Sequence, residues 1–276
     1  KSDLARQSDH SLPFHSDTDV PLLNAMMHTI IKENLHDQQY ITKHTEGFQA
    51  LAETVAAYSP ESVAQVCGIE SETIKEVARV YATSKGSMIF WGMGISQHIH
   101  GTDNARCLIS LALLTGQIGR PGSGIHPLRG QNNVQGASDV GLIPMVFPDY
   151  QSVADNESRE KFEQLWDCKL DSQPGLTVVE IMEAVHQGNL HGMYIMGENP
   201  AMSDPNLNHA RAALAKLKHL VVQDIFFTET AGFADVILPA SAFPEKTGTF
   251  TNTDRRVQLG RKAIDPPGDA RQDLEI

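Results

Sequence analysis

His126-Pro127-Leu128-Arg129-Gly130-Gln131-Asn132-Asn133-Val134-Gln135-Gly136-Ala137-Ser138-Asp139-Val140-Gly141 is the stretch around which the chain is organised. These sixteen residues hold three glycines, four side-chain amides, one arginine and one aspartate. A packed helix or a core strand would not use its positions in this way, so a loop is expected. Glycine lets the backbone approach a ligand closely or take positive φ. Amides supply donors and acceptors without charge, which suits the edge of a heterocycle. Arg129 is the one cation in the run, and its planar fork matches a carboxylate or a phosphate. A shorter Gly/Asn cluster would read as a solvated turn. The length of this one, its amide density and the approach Gly119-Arg120-Pro121-Gly122-Ser123-Gly124 favour a binding loop.

Upstream, Ser87-Met88-Ile89-Phe90-Trp91 is a short apolar strand running into Gly92-Met93-Gly94-Ile95-Ser96-Gln97. A helix follows from Thr102-Asp103, with Ala105, Leu108, Ile109, Leu111, Ala112 and Leu113 on its buried side and Gly116 at its end. A strand ending in Gly-x-Gly and leading to a helix is the weakest form of a dinucleotide loop. Without the full GxGxxG it gives no nicotinamide fingerprint. His98 and His100, in Gln97-His98-Ile99-His100, read as solvated. Earlier still, Thr18 or Asp19 caps a helix whose apolar face is Leu22, Leu23, Met26, Ile30 and Ile31. Ser59-Pro60 opens a further helix. Another begins at Ser71-Glu72, carries Ile74, Val77, Ala78, Val80 and Tyr81, and ends at Lys85-Gly86.

Downstream, Pro144 to Pro174 is a polar excursion containing a helix over Glu157–Trp166. A second α/β unit then starts with a capping box, Thr177-Val178-Val179-Glu180. Strands are expected at Met193–Met196, Leu220–Asp224 and Asp235–Leu238, with a helix headed by Asp204-Pro205 between the first two. This alternation predicts a parallel sheet with helices on its faces. The loops Gly197–Ser203 and Gln223–Thr228 fall at the C-terminal ends of strands, where such sheets bind ligands. Thr249–Gln258 is polar enough for a binding loop or an exposed hairpin, and Pro266-Pro267-Gly268 reads as a linker.

Composition bounds the function. The chain has 276 residues, 41% hydrophobic and 20% charged, as expected of an ordinary globular protein. Its net charge of −12 argues against nucleic acid or an anionic membrane as partner. A small anion would need a local positive site. Cys67, Cys107 and Cys168 form no CxxC pair and fit reduced thiols of a cytoplasmic protein. They exclude an iron–sulfur or structural zinc site built from this chain alone, and the twelve histidines form no HExxH. No metal-ligand set, membrane span or signal peptide is expected. Neither Lys1 nor Ile276 looks like a natural terminus, so the sequence reads as an internal piece of a longer protein.

Arg129-Gly130-Gln131-Asn132-Asn133-Val134-Gln135-Gly136, preceded by Leu114-Thr115-Gly116-Gln117-Ile118-Gly119-Arg120-Pro121-Gly122, resembles the catalytic subunit of molybdenum- or tungsten-dependent formate dehydrogenases. Gly197-Glu198-Asn199-Pro200, Val222-Gln223-Asp224-Ile225-Phe226, Ala234–Pro239 and Glu245–Gln258 extend the resemblance in order and spacing. It implies an α/β fold of two Rossmann-like parallel-sheet lobes, of the formate dehydrogenase/dimethyl sulfoxide reductase type. Residues 1–131 would form part of the first dinucleotide-binding lobe and 132–243 the second. Residues 244–276 would form a polar loop and linker toward a neighbouring domain. The implied cofactor is bis-molybdopterin guanine dinucleotide carrying Mo or W.

In the same resemblance Met93, Gln97, Gly130, Gln131, Asn199, Ser203 and Gln223 lie against the dinucleotides, and Arg129 holds the formate carboxylate. The implied partners are formate and electron-transfer subunits. The family's 4Fe-4S domain, its cysteine or selenocysteine metal ligand and its C-terminal β-rich domain have no counterpart here, so the chain alone is expected to be inactive. Asp17-Thr18-Asp19 stands where the family has Gly-Thr-Asp, which argues against a close backbone approach at Asp17. Two alternatives stand beside this reading. One is another molybdopterin oxidoreductase, such as a nitrate, arsenate or sulfoxide reductase. The other is a nucleotide-binding module without catalysis.

Overall fold

The computed structural model describes residues 2–252 and 254–276. Lys1, and Thr253 within the Thr249–Gln258 run, lie outside the described residues. The chain divides into two compact units, Lys1–Gly130 and Gln131–Ile276.

The first unit is mostly helical. It comprises α1 (Asp3–Gln7), α2 (Asp19–Lys32), α3 (Gln38–His44), α4 (Phe48–Val55), α5 (Pro60–Cys67), α6 (Ser71–Thr83), β1 (Met88–Trp91), α7 (Met93–Ser96), α8 (Gly101–Leu114) and β2 (Gly124–Pro127). Leu22, Ala25, Met26, Met27 and Ile30 recur on α2 at helical spacing and are buried. They form one core with Ile41, Val55, Val63, Cys67, Ile74, Ala78, Leu111 and Leu114. The hydroxyl of Ser59 accepts from Ser62 N at 3.2 Å and Pro60 takes the first helical position, so the cap read from sequence is present, and Gly68 ends α5 at φ +70°. Gly86 serves a different purpose from the one its position suggested. The helix α6 ends before it, and a Cβ there would lie 2.7 Å from the Gly122 carbonyl oxygen. It permits two chain segments to touch.

Strands β1 and β2 pair in parallel, from Met88↔Gly124 to Trp91↔Pro127, with α7 and α8 as the crossover. Gln117, 1% exposed, fastens the start of this sheet. Its Oε1 accepts from Ser87 N at 2.9 Å and its Nε2 donates to Ser84 O at 3.4 Å.

The second unit contains α9 (Val134–Asp139), β3 (Val146–Phe147), β4 (Gln151–Ser152), α10 (Asn156–Trp166), α11 (Val178–His186), β5 (Gly192–Met196), α12 (Pro200–Ser203), α13 (Leu207–Leu214), β6 (His219–Asp224), β7 (Val236–Pro239), β8 (Gly248–Thr251) and β9 (Val257–Gly260). Strands β5, β6 and β7 form the expected parallel sheet in sequential order. Ile195, Leu214, Leu220 and Val222 pack at its heart. The capping box of α11 is closed on both sides: Thr177 N donates to Glu180 Oε2 at 2.7 Å, and Glu180 N donates to the Thr177 hydroxyl at 3.4 Å. The polar excursion carries a small core of its own, Phe147, Val153 and Phe162, with Trp166 against both phenylalanine rings.

Two further expectations change. The central stretch is not loop throughout, because His126-Pro127 completes β2 and Val134–Asp139 winds into α9. Asp204 does not cap the following helix. Asn206 does, through His209 N, while Asp204 accepts from Asn206 N at 3.0 Å and Pro200–Ser203 forms a turn of helix before it. Of the two readings left open for Thr249–Gln258, the hairpin is the one found, with β8 and β9 antiparallel. Among the described residues no helix is long and apolar enough to cross a membrane.

Ile30 is fully buried on α2. Truncating it leaves a cavity surrounded by several helices, so Ile30→Ala should destabilise the protein by about 2–5 kcal/mol. A urea titration reads this directly. Leu4→Ala, at an exposed position, should leave the midpoint unmoved.

Candidate functional site

Parallel strands deliver their following loops to one edge of a sheet. In the first unit β1 exits into Gly92 and α7, and β2 exits into Leu128-Arg129-Gly130. Leu128 N donates to Trp91 O at 2.7 Å, which keeps the two exits side by side. Met93, Gln97, Arg129 and Gly130 therefore emerge near one edge, all exposed. No hydrogen bond within the described residues engages the Arg129 side chain, and a Cβ on Gly130 would meet nothing within 4 Å.

Three contacts hold the α7 loop behind these residues. A Cβ on Gly101 would lie 1.9 Å from the Ser96 carbonyl oxygen, so the first turn of α8 sits against the loop only because that residue is glycine. Asn104, 3% exposed, donates from Nδ2 to Ile95 O at 2.9 Å. The third contact is His98, whose Nδ1 is 2.5 Å from Asp17 Oδ1 and whose Nε2 is 2.7 Å from Gly94 O. The hydrogen bond to Asp17, helped by the one to the Gly94 carbonyl, raises the His98 pKa above its ordinary value. His98 is thus not the solvated histidine expected from sequence; two acceptors fix it. Asp17 itself takes φ +63°, the left-handed conformation a glycine would favour.

In the second unit the corresponding edge is built from the exits of β5 and β6. Gly197, at φ +63°, turns the chain into Glu198-Asn199 and α12. Asn199 Oδ1 accepts from Thr230 N at 3.1 Å and from the Thr230 hydroxyl at 2.7 Å, while its Nδ2 donates to Glu229 at 2.7 Å. That hydrogen bond holds the Glu229 pKa below the usual range. The Ser203 hydroxyl donates to Asn199 O at 3.1 Å. Asn199 therefore ties the two loops together, and sequence gave no sign that Glu229 and Thr230 were its partners beyond the polar run Thr228-Glu229-Thr230.

Gln223, at the end of β6, is 1% exposed. Its Oε1 accepts from the Tyr194 hydroxyl, and its Nε2 donates to Asp273 at 2.9 Å. Asp273 also pairs with Lys246. Burial pushes the Asp273 carboxyl up, but the hydrogen bonds from Lys246 and Gln223 outweigh it and leave the pKa lowered. Lys246 and Asp273 were not singled out in the sequence; only their spacing from Gln223 in the folded chain reveals them.

The amides of the central stretch divide into two groups. Asn133, at φ +67°, accepts on Oδ1 from Thr251 N at 2.9 Å and donates from Nδ2 to Thr249 O at 3.0 Å. Its carboxamide thus pairs with β8 as a strand residue would. Gly136 makes room for it, since a Cβ there would lie 2.1 Å from Asn133 Oδ1. Gln135 donates to Asp139 at 2.7 Å and to the Tyr150 hydroxyl at 3.3 Å. These two amides read protein rather than a heterocycle. Gln131 is exposed and, with Asn132, has no side-chain hydrogen bond among the described residues.

The sequence profile of the molybdopterin oxidoreductase family matches residues 1–276, the whole chain. This chain belongs to that family. Similar proteins include the F420-dependent formate dehydrogenase subunit alpha of Methanocaldococcus jannaschii, 49% identical over 99% of this chain and 40% of the relative. Formate dehydrogenase H of Escherichia coli is 42% identical over 100% of this chain and 39% of its own length. The chain thus spans about 40% of the length of these relatives. Among solved structures, acetylene hydratase from Pelobacter acetylenicus superposes with a TM-score of 0.75 at 19% identity, covering 100% of this chain and 40% of that one. That likeness bears on the fold, which is the mixed α/β class with parallel sheets expected from the sequence.

Membership of the family implies a molybdopterin cofactor with Mo or W. The residues present suit the organic part of such a group. In the first unit Arg129 is exposed with no side-chain hydrogen bond among the described residues, and Gly94 and Gly130 leave open space where a Cβ would stand; in the second, Gln131 is exposed with no such bond among the described residues, and Gly197 leaves similar space. Among the described residues no group of three or more His, Cys, Asp or Glu side chains is placed to hold a metal ion.

The tight passage at Gly101 gives a direct test of the loop's support. Gly101→Ala should force the loop and helix apart, at about 1–3 kcal/mol in stability. Hydrogen exchange over residues 92–97 should accelerate in that variant. Unchanged protection would show that the loop does not depend on the contact.

Proposed function

We propose that this chain is part of the catalytic subunit of a formate dehydrogenase. The observation that carries the reading is the alignment with relatives of that name end to end along the chain, at 42–49% identity. The reaction is the oxidation of formate, which gives up two electrons and one proton and leaves carbon dioxide. When bound, a bis-molybdopterin guanine dinucleotide with Mo or W supplies the two-electron chemistry. Residues 1–131 would serve in the first dinucleotide-binding lobe, 132–243 in the second, and 244–276 in a polar segment leading toward a neighbouring domain.

Each residue then has a task its surroundings support. Met93 and Gln97 present an exposed thioether and amide from a loop fixed by Gly101, Asn104 and His98. Gly130 and Gln131 bring an open backbone and a free amide to the same cofactor. Asn199, Ser203 and Gln223 would hold the other dinucleotide, chiefly through the loop backbone that their hydrogen bonds shape. Arg129 would bind the formate carboxylate, giving a weakly held anion a fixed orientation in a chain of net charge −12. A 4Fe-4S cluster and the metal's protein ligand would come from other parts of the parent subunit, and the electrons would pass to electron-transfer subunits. A cytoplasmic setting agrees with the free thiols Cys67, Cys107 and Cys168. Nothing in the charge favours nucleic acid.

The full-length protein should contain molybdenum or tungsten in stoichiometric amount and reduce a viologen dye when formate is added. Metal-loaded protein inert to formate would overturn the substrate assignment. Arg129→Ala, in the same protein, should lower kcat/KM by about 30- to 1000-fold, equivalent to about 2–4 kcal/mol. Arg129→Lys should recover only part of this, because ammonium lacks the planar fork. Near-normal kinetics in an Ala variant with full metal content would remove Arg129 from the substrate site.

A further inference from the structure

His98 is a titratable side chain whose neighbours demand one charge state. Its ring is 24% exposed and lies between two acceptors, Asp17 Oδ1 at 2.5 Å from Nδ1 and Gly94 O at 2.7 Å from Nε2. A neutral imidazole has a single N–H and can satisfy one of them. Both contacts form together only when the ring carries two protons. Asp17 stands at the left-handed turn ahead of α2, 81 positions before His98, and Gly94 is in the middle of α7, so the ring joins the two elements through its partners.

We propose that His98, as an imidazolium, is a positioning residue that pins the Gly92–Gln97 loop to the turn at Asp17, and that loss of one ring proton releases the loop. The consequence for cofactor retention rests on the function proposed above; the pin itself does not. Beyond Asp17, the buried carboxylate of Asp19 favours the charged ring. His100 and Asp103 line the same cavity of about 250 Å³ with Asp17, Val20, Pro21 and Asn104. Asp103 is partly compensated by Arg106 at 3.3 Å, and His100 Nδ1 lies 4.0 Å from its carboxylate. The local balance is therefore anionic.

The sign follows from the raised folded-state pKa, caused first by the Asp17 hydrogen bond and then by the Gly94 carbonyl. The pinned loop is fully present below the unfolded-state value of 6.5 and is lost as pH rises through the higher folded-state value. Asp17→Asn separates charge from shape. Asparagine accepts positive φ as readily as aspartate, so the turn persists while the anion is removed.

The measurement is hydrogen–deuterium exchange of peptides covering residues 92–98 in the full-length protein, from about pH 6 to about pH 9, corrected for the intrinsic pH dependence of exchange. Protection should fall by about tenfold or more across a single midpoint above 6.5, the effect of losing a charge-assisted hydrogen bond. In Asp17→Asn the midpoint should move down toward 6.5, and in His98→Gln the loop should exchange fast at every pH with no midpoint. Flat corrected protection in the wild type overturns the pin, as does an unmoved midpoint in Asp17→Asn. The wild-type series decides alone if His98→Gln fails to fold. Metal content read on the same samples tests the cofactor assignment separately, since a protein lacking molybdenum and tungsten defeats that assignment whatever the exchange shows.

Discussion

A parallel strand pair cannot be closed by a hairpin. The chain must cross back over the sheet before the second strand begins, and so every exit lies at the same edge. This constraint governs both units. It brings Gly92 and Leu128 out beside each other after β1 and β2, and it does the same for Gly197 and Ile225 after β5 and β6. Polar residues far apart in sequence become neighbours at an edge where backbone groups have no further strand to pair with. The hydrophobic core fixes the helices that make the crossings, α8 in the first unit and α13 in the second.

At such an edge, loop shape matters as much as loop chemistry. Asn199 and Gln223 were expected to face a ligand, and both commit their amides to protein partners. Asn199 spends its side chain on Thr230 and Glu229, and Gln223 is enclosed by Tyr194 and Asp273. A buried amide with every group satisfied makes a rigid junction, whereas one missing partner would leave a costly orphan. Glycine acts in the complementary way. Gly101 and Gly136 permit contacts that any side chain would forbid, and neither has a positive φ.

Much of the fold was legible because its signals are local. A serine before a proline, a threonine three residues ahead of a glutamate and an apolar run of strand length each announce themselves within a few positions, as at Ser59-Pro60, Thr177–Glu180 and Leu220–Asp224. What escaped depends on partners that folding alone supplies. Asn206 displaced Asp204 as the helix cap because Asp204 was taken up by a turn. His98 looked like a surface residue until Asp17, 81 positions earlier, was seen beside it. The exposed members of the candidate site, Met93, Gln97, Arg129, Gly130 and Gln131, were expected from the motifs that carry them, whereas the link of Lys246, within the Glu245–Gln258 run, and of Asp273 to buried Gln223 appears only in the folded chain.

The side chain of Asn133 reaches across 116 to 118 positions to clasp Thr249 and Thr251. During synthesis the central segment leaves the ribosome long before that clasp exists. Until β8 has emerged, the carboxamide of Asn133 has only water to bond, and the segment carrying Gln131 stays open on that side. Closing so long a loop is slow and comes late compared with the local helices. A nascent chain therefore passes through a period in which the segment around Asn133 is still unfastened and accessible to chaperones, before β8 shuts it.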